Sequence, residues 1–257
     1  MIGKQIRIER IMDRNTGKAV IIPMDHGMTL GQIDGLLNMT ETVAEVSDGG
    51  ANAIILHKGL VRPGHRRKGR DIGLIIHLSA GTSMNPDPND KVLICSVEEA
   101  VSLGADAVSI HINLGAPQES KMMESAGQVV RDCNRWGIPL LAMIYPRGEG
   151  IDPNDPRHVG HAVRVAEELG ADLVKTNYTG DPESFAKIVK ASSIPVLIAG
   201  GEKGEDLDCY KTIYDAVHFA KCAGVCMGRN AFQRDNVAKF VSNISQVVHQ
   251  GIRPETI

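Results

Sequence analysis

The sequence predicts an α/β fold in which eight strand–helix units close into one (β/α)8 barrel, and three observations support this prediction. A motif beginning Gly-Ala-Asn or Gly-Ala-Asp recurs at 50–54, 104–108 and 170–174, with a degenerate copy at 223–227. Eight short apolar runs are present, and helical periodicity fills most of the gaps between them. A length of 257 residues suits a barrel of this kind. A doubly wound open sheet is the second interpretation.

Each apolar run is predicted to be a strand of a parallel sheet. In the recurrent motif, glycine closes a helix in the left-handed conformation, and the apolar run behind it is typical of a strand buried on both faces. The runs, in chain order, are AVIIPMD (19–25), NAIILHK (52–58), GLIIHLS (73–79), DAVSIHIN (106–113), PLLAMIY (139–145), DLVKTNY (172–178), PVLIAGG (195–201) and GVCMGRN (224–230).

The segments between the runs are predicted to be helices, because apolar residues recur there at three- and four-residue spacing. Ser96 followed by two glutamates, and Asp181 followed by Pro182, are typical of helix starts. The gap from 60 to 71 is basic and rich in glycine, so a loop is expected there. No compositional break divides the chain, which indicates a single TIM-barrel domain over 1–257.

Composition excludes several classes of protein. A net charge of −3 offers no electrostatic basis for binding nucleic acid or an acidic membrane surface. No run of about eighteen apolar residues and no signal peptide is present, so a soluble, cytoplasmic protein is expected. The five cysteines are scattered without a Cys-x-x-Cys pair, which indicates neither a disulfide framework nor a zinc ribbon: Cys95, Cys133, Cys209, Cys222 and Cys226.

Polar residues end nearly every predicted strand. In a (β/α)8 barrel the carboxyl ends of the strands form the catalytic face, so these residues are the candidates for a site. They are Asp25, His26, His57, Lys58, His77, His111, Asn113, Tyr145, Arg147, Lys175, Asn177, Tyr178, Gly200, Gly201, Gly228, Arg229 and Asn230.

The last two strands carry the pattern of a phosphate site. Ala-Gly-Gly at 199–201 and Met-Gly-Arg-Asn at 227–230 follow strands seven and eight, where this fold often binds phosphate. Glycine lets backbone N–H groups approach an anion, and Arg229 supplies a charged fork. The alternative is that two tight turns need glycine and that Arg229 is a solvated charge.

Three strand-end residues could carry covalent chemistry. Lys175 lies in an apolar strand, where burial would lower the pKa of its ammonium and free the amine to form a Schiff base. Asp25 could accept protons, and Tyr145 could donate one to a developing alkoxide. The structural alternatives are a Lys175 that pairs with Asp25 or reaches solvent, an Asp25 that caps a loop, and a Tyr145 packed at the rim.

The histidines and the basic segment are open to two interpretations each. His26, His57, His77 and His111 could assemble a metal site, but no metal-ligand spacing is present, so polar residues around an anionic substrate are favoured and no metal is predicted. The basic run is expected to be a solvated loop, or to contact the anionic end of the substrate or a neighbouring subunit; it comprises Arg62, His65, Arg66, Arg67, Lys68 and Arg70.

Eight motifs occur in the order found in one family: MDHG (24–27), LHKG (56–59), IIHLS (75–79), GADAVSIHIN (104–113), MIYPRG (143–148), VKTNYTGD (174–181), AGG (199–201) and GRN (228–230). Together they resemble the archaeal-type class I aldolase family. The resemblance implies a Schiff-base mechanism without metal or cofactor, with Lys175 as the Schiff-base lysine, Asp25 as proton acceptor and Tyr145 as proton donor. The sugar-phosphate contacts that it implies are Asp25, His26, Gly27, Met28, Thr29, Tyr145, Pro146, Arg147, Gly200, Gly201, Gly228 and Arg229.

Within this family the chain resembles the synthases more than the fructose-1,6-bisphosphate aldolases, which tend to carry tryptophan where this chain has Met143. The resemblance implies transfer of a hydroxyacetone unit from 6-deoxy-5-ketofructose 1-phosphate to L-aspartate semialdehyde, an early step towards aromatic amino acids, in a homo-oligomer, often a decamer. A bisphosphate aldolase is the alternative; a metal-dependent barrel enzyme and a non-catalytic sugar-phosphate binder rank below it. Glu202 replaces the family's proline and is expected to face solvent.

Overall fold

A closed barrel of eight parallel strands forms the centre of the protein, in a computed structural model that describes residues 1–65 and 69–257. The strands of the described residues are β1 (Ala19–Pro23), β2 (Ala53–Leu56), β3 (Gly73–His77), β4 (Ser79–Ala80), β5 (Val92–Leu93), β6 (Ala107–Leu114), β7 (Leu140–Pro146), β8 (Leu173–Thr176), β9 (Val196–Ala199) and β10 (Gly224–Cys226). Around the barrel they follow the order β1-β10-β9-β8-β7-β6-β3-β2, while β4 and β5 form a separate antiparallel pair.

Helices cover the outside of the barrel and alternate with most of its strands. The α-helices of the described residues are α1 (Ile2–Ile11), α2 (Gly27–Leu30), α3 (Met39–Asp48), α4 (Val97–Ser102), α5 (Glu119–Trp136), α6 (Pro156–Leu169), α7 (Pro182–Ala191), α8 (Asp206–Tyr214), α9 (Arg229–Phe232) and α10 (Val237–Ser245). Short 3₁₀ turns lie at Lys58–Leu60 and Pro254–Thr256, and π-helical turns at Asp215–Phe219 and Gln246–Gln250. Each helix in the described ranges is too short or too polar to cross a lipid bilayer.

The predicted fold class is confirmed, since each of the eight predicted runs contains one strand of the closed barrel and the open sheet is therefore wrong. The predicted helix starts are also found: the side chain of Ser96 accepts a hydrogen bond from Glu99 N, and that of Asp181 accepts one from Ser184 N. The described part of the 60–71 gap contains no α-helix, and Arg62, His65 and Arg70 are exposed there. Arg66, Arg67 and Lys68 lie outside the described residues.

The recurrent motif joins neighbouring strands at the floor of the barrel. Its third residue is Asn52, Asp106 or Asp172, and each side chain accepts a hydrogen bond from the backbone N–H of a residue 32 positions earlier, at 2.7–2.9 Å. These carboxylates and this amide therefore fix the register between consecutive βα units. Helix α1 lies below the same floor, where its Lys4 pairs with Asp172 at 2.8 Å and its Arg10 pairs with Asp106.

Strand residues alternate between two cores, one inside the barrel and one between the strands and the helices. Because side chains on a strand point alternately to opposite faces, every second residue faces the barrel interior. The interior cluster consists of Ala19, Ile21, Ala53, Ile55, Ile75, Ala107, Leu141, Met143, Tyr145, Leu173, Leu197 and Cys226, with Ile11 and Met12. The same alternation carries Asp25, His77, His111 and Lys175 inward at the upper ends of their strands.

Candidate active site

A cavity of about 490 Å³ opens at the carboxyl ends of the barrel strands, a volume typical of small-molecule sites. It brings together Lys175, Asp25 and Tyr145, the three residues to which the sequence assigned covalent and acid–base chemistry. The other predicted residues on its wall are His26, Thr29, His57, His77, His111, Arg147, Asn177, Gly200, Gly201, Gly228 and Arg229.

Some predicted residues lie off the wall of this cavity. Gly27, Met28 and Pro146 do not line it, and Pro146 occupies an outward position of β7, one residue away from the inward Tyr145. Lys58 turns to the helical layer, where its Nζ lies 3.0 Å from Glu99 Oε1. Tyr178 packs on Phe185 with ring centroids 5.1 Å apart, so it too belongs to the helical layer.

Lys175 is buried in the barrel interior, in line with Leu173 on β8. The sequence argument, in which burial lowers the pKa of Lys175, needs correction. Burial does act in that direction, but Cys226, Tyr145 and Asp25 together outweigh it and hold the pKa of Lys175 above its usual value. The resting lysine is therefore an ammonium, and a neighbouring group must accept its proton before the amine can attack a carbonyl.

Asp25 is the only carboxylate that lines the cavity within the described ranges. Its Oδ2 lies 3.8 Å from His77 Nε2, and its Oδ1 lies 3.5 Å from His26 Nδ1. Burial alone would raise the pKa of Asp25, but His77, His26 and Lys175 outweigh that effect and hold it well below the usual range. Asp25 is thus ionised at neutral pH, and its lowered pKa makes it a weak base in the resting site.

The buried histidines of the site are neutral at neutral pH. Burial lowers the pKa of His77 to about 4 and that of His111 well below its ordinary value. His77 Nδ1 lies 2.8 Å from Ser109 Oγ, and His111 Nε2 lies 2.8 Å from Asn113 Oδ1, so both rings are held in one orientation. Among the described residues, no three His, Cys, Asp or Glu side chains are grouped so that they could hold a metal ion.

Tyr145 is buried beside the lysine. Burial raises the pKa of its phenol, so the hydroxyl is protonated at neutral pH and within hydrogen-bonding reach of Lys175. The guanidinium of Arg147 lies over the ring at 4.8 Å from the centroid, and the ring of His111 packs edge-on at 5.0 Å. These contacts hold the protonated phenol in place next to the amine.

The predicted phosphate loops meet at the ends of β9 and β10. Gly228 approaches the β1 end so closely that a Cβ there would lie 2.4 Å from His26 Cε1 and 2.5 Å from Pro23 O. The Asn230 side chain donates hydrogen bonds to Gly200 O at 2.6 Å and to Glu202 O at 2.7 Å, which holds the two loops together. No pattern in the sequence predicts this bridging role of Asn230.

Two features of Arg229 bear on anion binding. Its Nε is buried without a hydrogen-bond partner in the described structure, so it has a free donor. Its Nη1 lies 3.3 Å from Glu202 Oε1. Glu202 is exposed, as expected, and its carboxylate also lies on the guanidinium, where it would compete with a phosphate.

Sequence reasoning missed several residues of the site, four of which bear on its chemistry. Ser79 ends the predicted run 73–79 but was not named as a candidate, and Lys91 lines the cavity from a segment that was not predicted to hold strands. Cys226 contacts Lys175 from β10, and Ser109 orients His77 from β6. The last two could have been found from strand parity, since each is two residues away from another inward position.

An eight-stranded barrel with a buried lysine, carboxylate and phenol at its carboxyl end defines the class: a TIM barrel built as an aldolase. A family model described as "DeoC/LacD family aldolase" matches residues 19–234, and the chain belongs to that family. The resemblance to the archaeal-type class I aldolases is thereby confirmed.

Three similar proteins narrow the comparison. The 2-amino-3,7-dideoxy-D-threo-hept-6-ulosonate synthase of Halobacterium salinarum is 45% identical over 98% of this chain and 94% of its own length. The 2-amino-4,5-dihydroxy-6-oxo-7-(phosphonooxy)heptanoate synthase of Streptomyces griseus is 40% identical over 96% of this chain and 90% of its own length. The third is the structure of an archaeal fructose-1,6-bisphosphate aldolase whose catalytic lysine is covalently bound to the carbinolamine intermediate. It is 33% identical and superimposes with a TM-score of 0.86 over 95% of this chain and 98% of its own.

Proposed function

We propose that this protein is a Schiff-base transferase that moves a hydroxyacetone unit from 6-deoxy-5-ketofructose 1-phosphate to L-aspartate semialdehyde and so forms 2-amino-3,7-dideoxy-D-threo-hept-6-ulosonate. One observation carries the proposal: the buried Lys175 amine lies among an ionised Asp25 and a neutral Tyr145 at the bottom of a cavity of sugar-phosphate size. A nucleophile, a base and an acid therefore converge on one point.

The first step joins Lys175 to the donor ketone. The ammonium must lose its proton, and Asp25 is the acceptor that the family resemblance assigns. This transfer runs against the resting pKa values of the two groups, so attack of the amine on the carbonyl carbon must draw it forward, while Tyr145 protonates the oxygen that becomes a hydroxyl. Loss of that hydroxyl as water leaves an iminium ion on Nζ. His77 and His111 are neutral at neutral pH, because burial lowers the pKa of each ring. The iminium therefore forms beside neutral rings.

The second step breaks and remakes a carbon–carbon bond. The Tyr145 phenolate left by the first step removes the proton of the donor's hydroxyl, the electrons of the carbon–carbon bond move into the iminium, and the departing aldehyde leaves an enamine on Lys175. The enamine carbon then attacks the acceptor aldehyde, its alkoxide takes a proton from Tyr145, and water releases the product from the lysine. No electron acceptor is needed, because every bond broken heterolytically is matched by one formed.

The phosphate of the donor is assigned to the loops after β9 and β10. Gly200, Gly201, Gly228 and Arg229 line the same cavity as Lys175, and the partnerless Nε of Arg229 is a donor for an anionic oxygen. Of the other sugar-phosphate contacts that the family resemblance implies, Asp25, His26, Thr29, Tyr145 and Arg147 line the same cavity, whereas Gly27, Met28 and Pro146 lie off its wall.

The synthase reaction is favoured over bisphosphate cleavage by the names of the relatives that are 40–45% identical. Met143, which lines the cavity, adds support, since the bisphosphate aldolases tend to carry tryptophan at that position. A class I fructose-1,6-bisphosphate aldolase is the second candidate, and the 0.86 TM-score with a structure of that name favours it.

Borohydride trapping tests the proposal. The protein is incubated with 6-deoxy-5-ketofructose 1-phosphate, reduced, digested and mapped by mass spectrometry, alongside Lys175→Met and the exposed control Lys187→Met. The expected result is a reduced adduct on Lys175 in the native protein and the control, and none in Lys175→Met. An adduct on another lysine, or none in an active enzyme, contradicts the mechanism.

The choice of reaction is tested with the same preparation. Turnover of the ketofructose phosphate is measured with and without L-aspartate semialdehyde, and turnover of fructose 1,6-bisphosphate is measured beside it. A transferase forms the seven-carbon amino acid only with the acceptor present. Faster cleavage of the bisphosphate, independent of the acceptor, would support the second candidate instead.

The proposal extends to the state of the protein in the cell. Residues 1–257 form one domain, and the protein acts in the cytoplasm as a homo-oligomer, as suits a biosynthetic barrel enzyme of this family. The family resemblance implies a decamer. Size-exclusion chromatography with light scattering measures the assembly directly.

A further inference from the structure

A row of three polar side chains links β6, β3 and the end of β1. Ser109 on β6 and His77 on β3 are register partners, and Ser109 Oγ lies 2.8 Å from His77 Nδ1. On the other side of the ring, His77 Nε2 lies 3.8 Å from Asp25 Oδ2. The ring therefore joins a serine to the carboxylate that is assigned as acceptor of the Lys175 proton.

The serine is placed to act on the ring and on nothing else in the site. Ser109 is fully buried and does not line the cavity, so a bound substrate does not touch its hydroxyl. A buried hydroxyl needs a hydrogen-bond partner, and the one that Ser109 has among the described residues is His77 Nδ1. Any effect of this hydroxyl on the reaction must therefore pass through the histidine.

The charge of Asp25 decides which nitrogen of His77 carries the proton. Burial lowers the pKa of His77 to about 4, so at neutral pH one ring nitrogen is a donor and the other an acceptor. An ionised carboxylate only accepts hydrogen bonds, which favours the tautomer with its N–H on Nε2, towards Asp25. Nδ1 is then the acceptor, and the Ser109 hydroxyl donates to it.

The other titratable groups that face His77 leave this assignment unchanged. The ring of His57 on β2 packs edge-on at 5.3 Å, and burial lowers the pKa of that ring as well. The ammonium groups of Lys175 and Lys91 oppose a positive charge on His77 and help to keep its pKa low. Asp25 is the acid among these neighbours, so the N–H of a neutral His77 is drawn towards it.

The two oxygens of Asp25 consequently have different surroundings. Oδ2 faces the N–H of His77, whose dipole attracts it across 3.8 Å. Oδ1 lies 3.5 Å from His26 Nδ1, a buried nitrogen without a hydrogen-bond partner in the described structure. A proton from Lys175 is therefore expected at Oδ1, where the protonated oxygen can donate to His26 Nδ1.

We propose that His77, supported by Ser109, is a positioning residue that holds Asp25 with Oδ1 free to receive the proton of Lys175. This inference rests on the proposed function, since it concerns the step in which Lys175 joins a ketone. The proton leaves Nζ for Oδ1, and the electron pair that it leaves behind forms the bond from Nζ to the carbonyl carbon. His77 acts on the carboxylate and Ser109 acts on the ring, so neither takes the transferred proton.

Two variants of the histidine test the role of Nε2. Glutamine places an amide N–H near the position of Nε2, whereas the shorter asparagine places one near Nδ1. The rate at which a borohydride-trappable adduct forms on Lys175 is measured against donor concentration in the native protein, His77→Gln and His77→Asn. The limiting rate constant should stay within about three-fold in His77→Gln and fall at least about ten-fold in His77→Asn, a part of the 10²–10⁴-fold that a positioned base contributes. The half-saturating donor concentration should not change.

A double-variant cycle tests whether Ser109 acts through the ring. Ser109→Ala alone should slow adduct formation about two- to ten-fold, the range for one neutral hydrogen bond, and should have no further effect in His77→Asn, where the link to Asp25 is already lost. Ser47→Ala is the matched control, because Ser47 is also buried and donates to Arg70 O at 2.7 Å, away from the cavity. Additive losses in the double variant, or an equal loss in Ser47→Ala, would overturn the role of Ser109.

The outcome is separable from that of the proposed function. Adduct formation needs no acceptor, so it does not depend on the transfer reaction, and fructose 1,6-bisphosphate replaces the ketofructose phosphate as donor if the protein does not take the latter. An adduct on Lys175 that forms equally fast in His77→Gln and His77→Asn, or a loss confined to the half-saturating concentration, overturns this inference alone. No adduct with either donor in the native protein refutes the proposed function, and this inference with it.

Discussion

Replacement of Glu202 by glutamine is expected to strengthen the binding of phosphate at Arg229. The Glu202 carboxylate lies 3.3 Å from the Arg229 guanidinium, where a phosphate oxygen would also bind. Glutamine keeps the size and the hydrogen-bonding oxygen of the side chain but removes its negative charge. The change therefore tests competition for the guanidinium and leaves the loop otherwise intact.

The size of the effect follows from the geometry of the pair. Two unit charges 3.3 Å apart interact by about 1.3 kcal/mol in bulk water. The Glu202 side chain is 87% exposed, so the pair lies close to this limit, and the entropy of ordering two long side chains leaves about 0–1 kcal/mol. A gain of up to about 1 kcal/mol corresponds to an affinity up to roughly five-fold higher.

The assay is inhibition of donor turnover by inorganic phosphate at low and at high ionic strength. Glu205→Gln is the matched control, because Glu205 is an exposed glutamate three residues further along the same loop. Glu202→Gln should lower the inhibition constant at low salt and lose most of the advantage at high salt, since exposed charges are screened. An unchanged constant, or an equal gain in Glu205→Gln, would refute the competition.

Three further predictions follow from the site. Tyr145→Phe should lower kcat by about 10²–10⁴-fold yet still allow trapping on the lysine, and a variant that turns over normally would remove Tyr145 from proton transfer. The free energy of unfolding should fall as the pH drops from 6.5 to about 4, because unfolded His77 binds a proton that the folded ring, with its pKa lowered to about 4, does not. The free energy of unfolding, measured by chemical denaturation at several pH values, should fall less steeply with pH in His77→Gln than in the native protein. Equal pH dependence in the two proteins would contradict this reasoning. Gly228→Ala should lower stability by about 1–3 kcal/mol, because its Cβ would lie 2.5 Å from Pro23 O, whereas Gly204→Ala, with open space at that position, serves as the thermal-melting control.

Strand parity explains how much of the site could be predicted from the sequence. Once the apolar runs are identified, every second residue faces the barrel interior, and the polar residue at the upper end of that row enters the cavity. Asp25, Tyr145 and Lys175 all follow this rule. The rule also predicts that Tyr145 faces the cavity and that the next residue, Pro146, does not, a distinction that the family motif alone does not make.

Contacts between distant segments could not be predicted in this way. The pKa of Lys175 is raised by groups on β1, β7 and β10, and no local pattern shows that these groups surround it. The β4 and β5 strands have two residues each, too few for periodicity to reveal, so the position of Lys91 depends on the tertiary contacts of that pair. The pairing of Glu202 with Arg229 likewise depends on where two loops meet.

Helix α1 precedes the barrel strands, and its partners come later in the chain. Its Arg10 contacts Asp71 and Asp106, 61 and 96 residues further on, and its Lys4 contacts Asp172, 168 residues further on. A helix leaving the ribosome cannot gain these contacts until most of the barrel has been made, and such non-local contacts form slowly. Helix α1 can therefore complete its contacts with the floor of the barrel only after Asp172, its most distant partner, has been made.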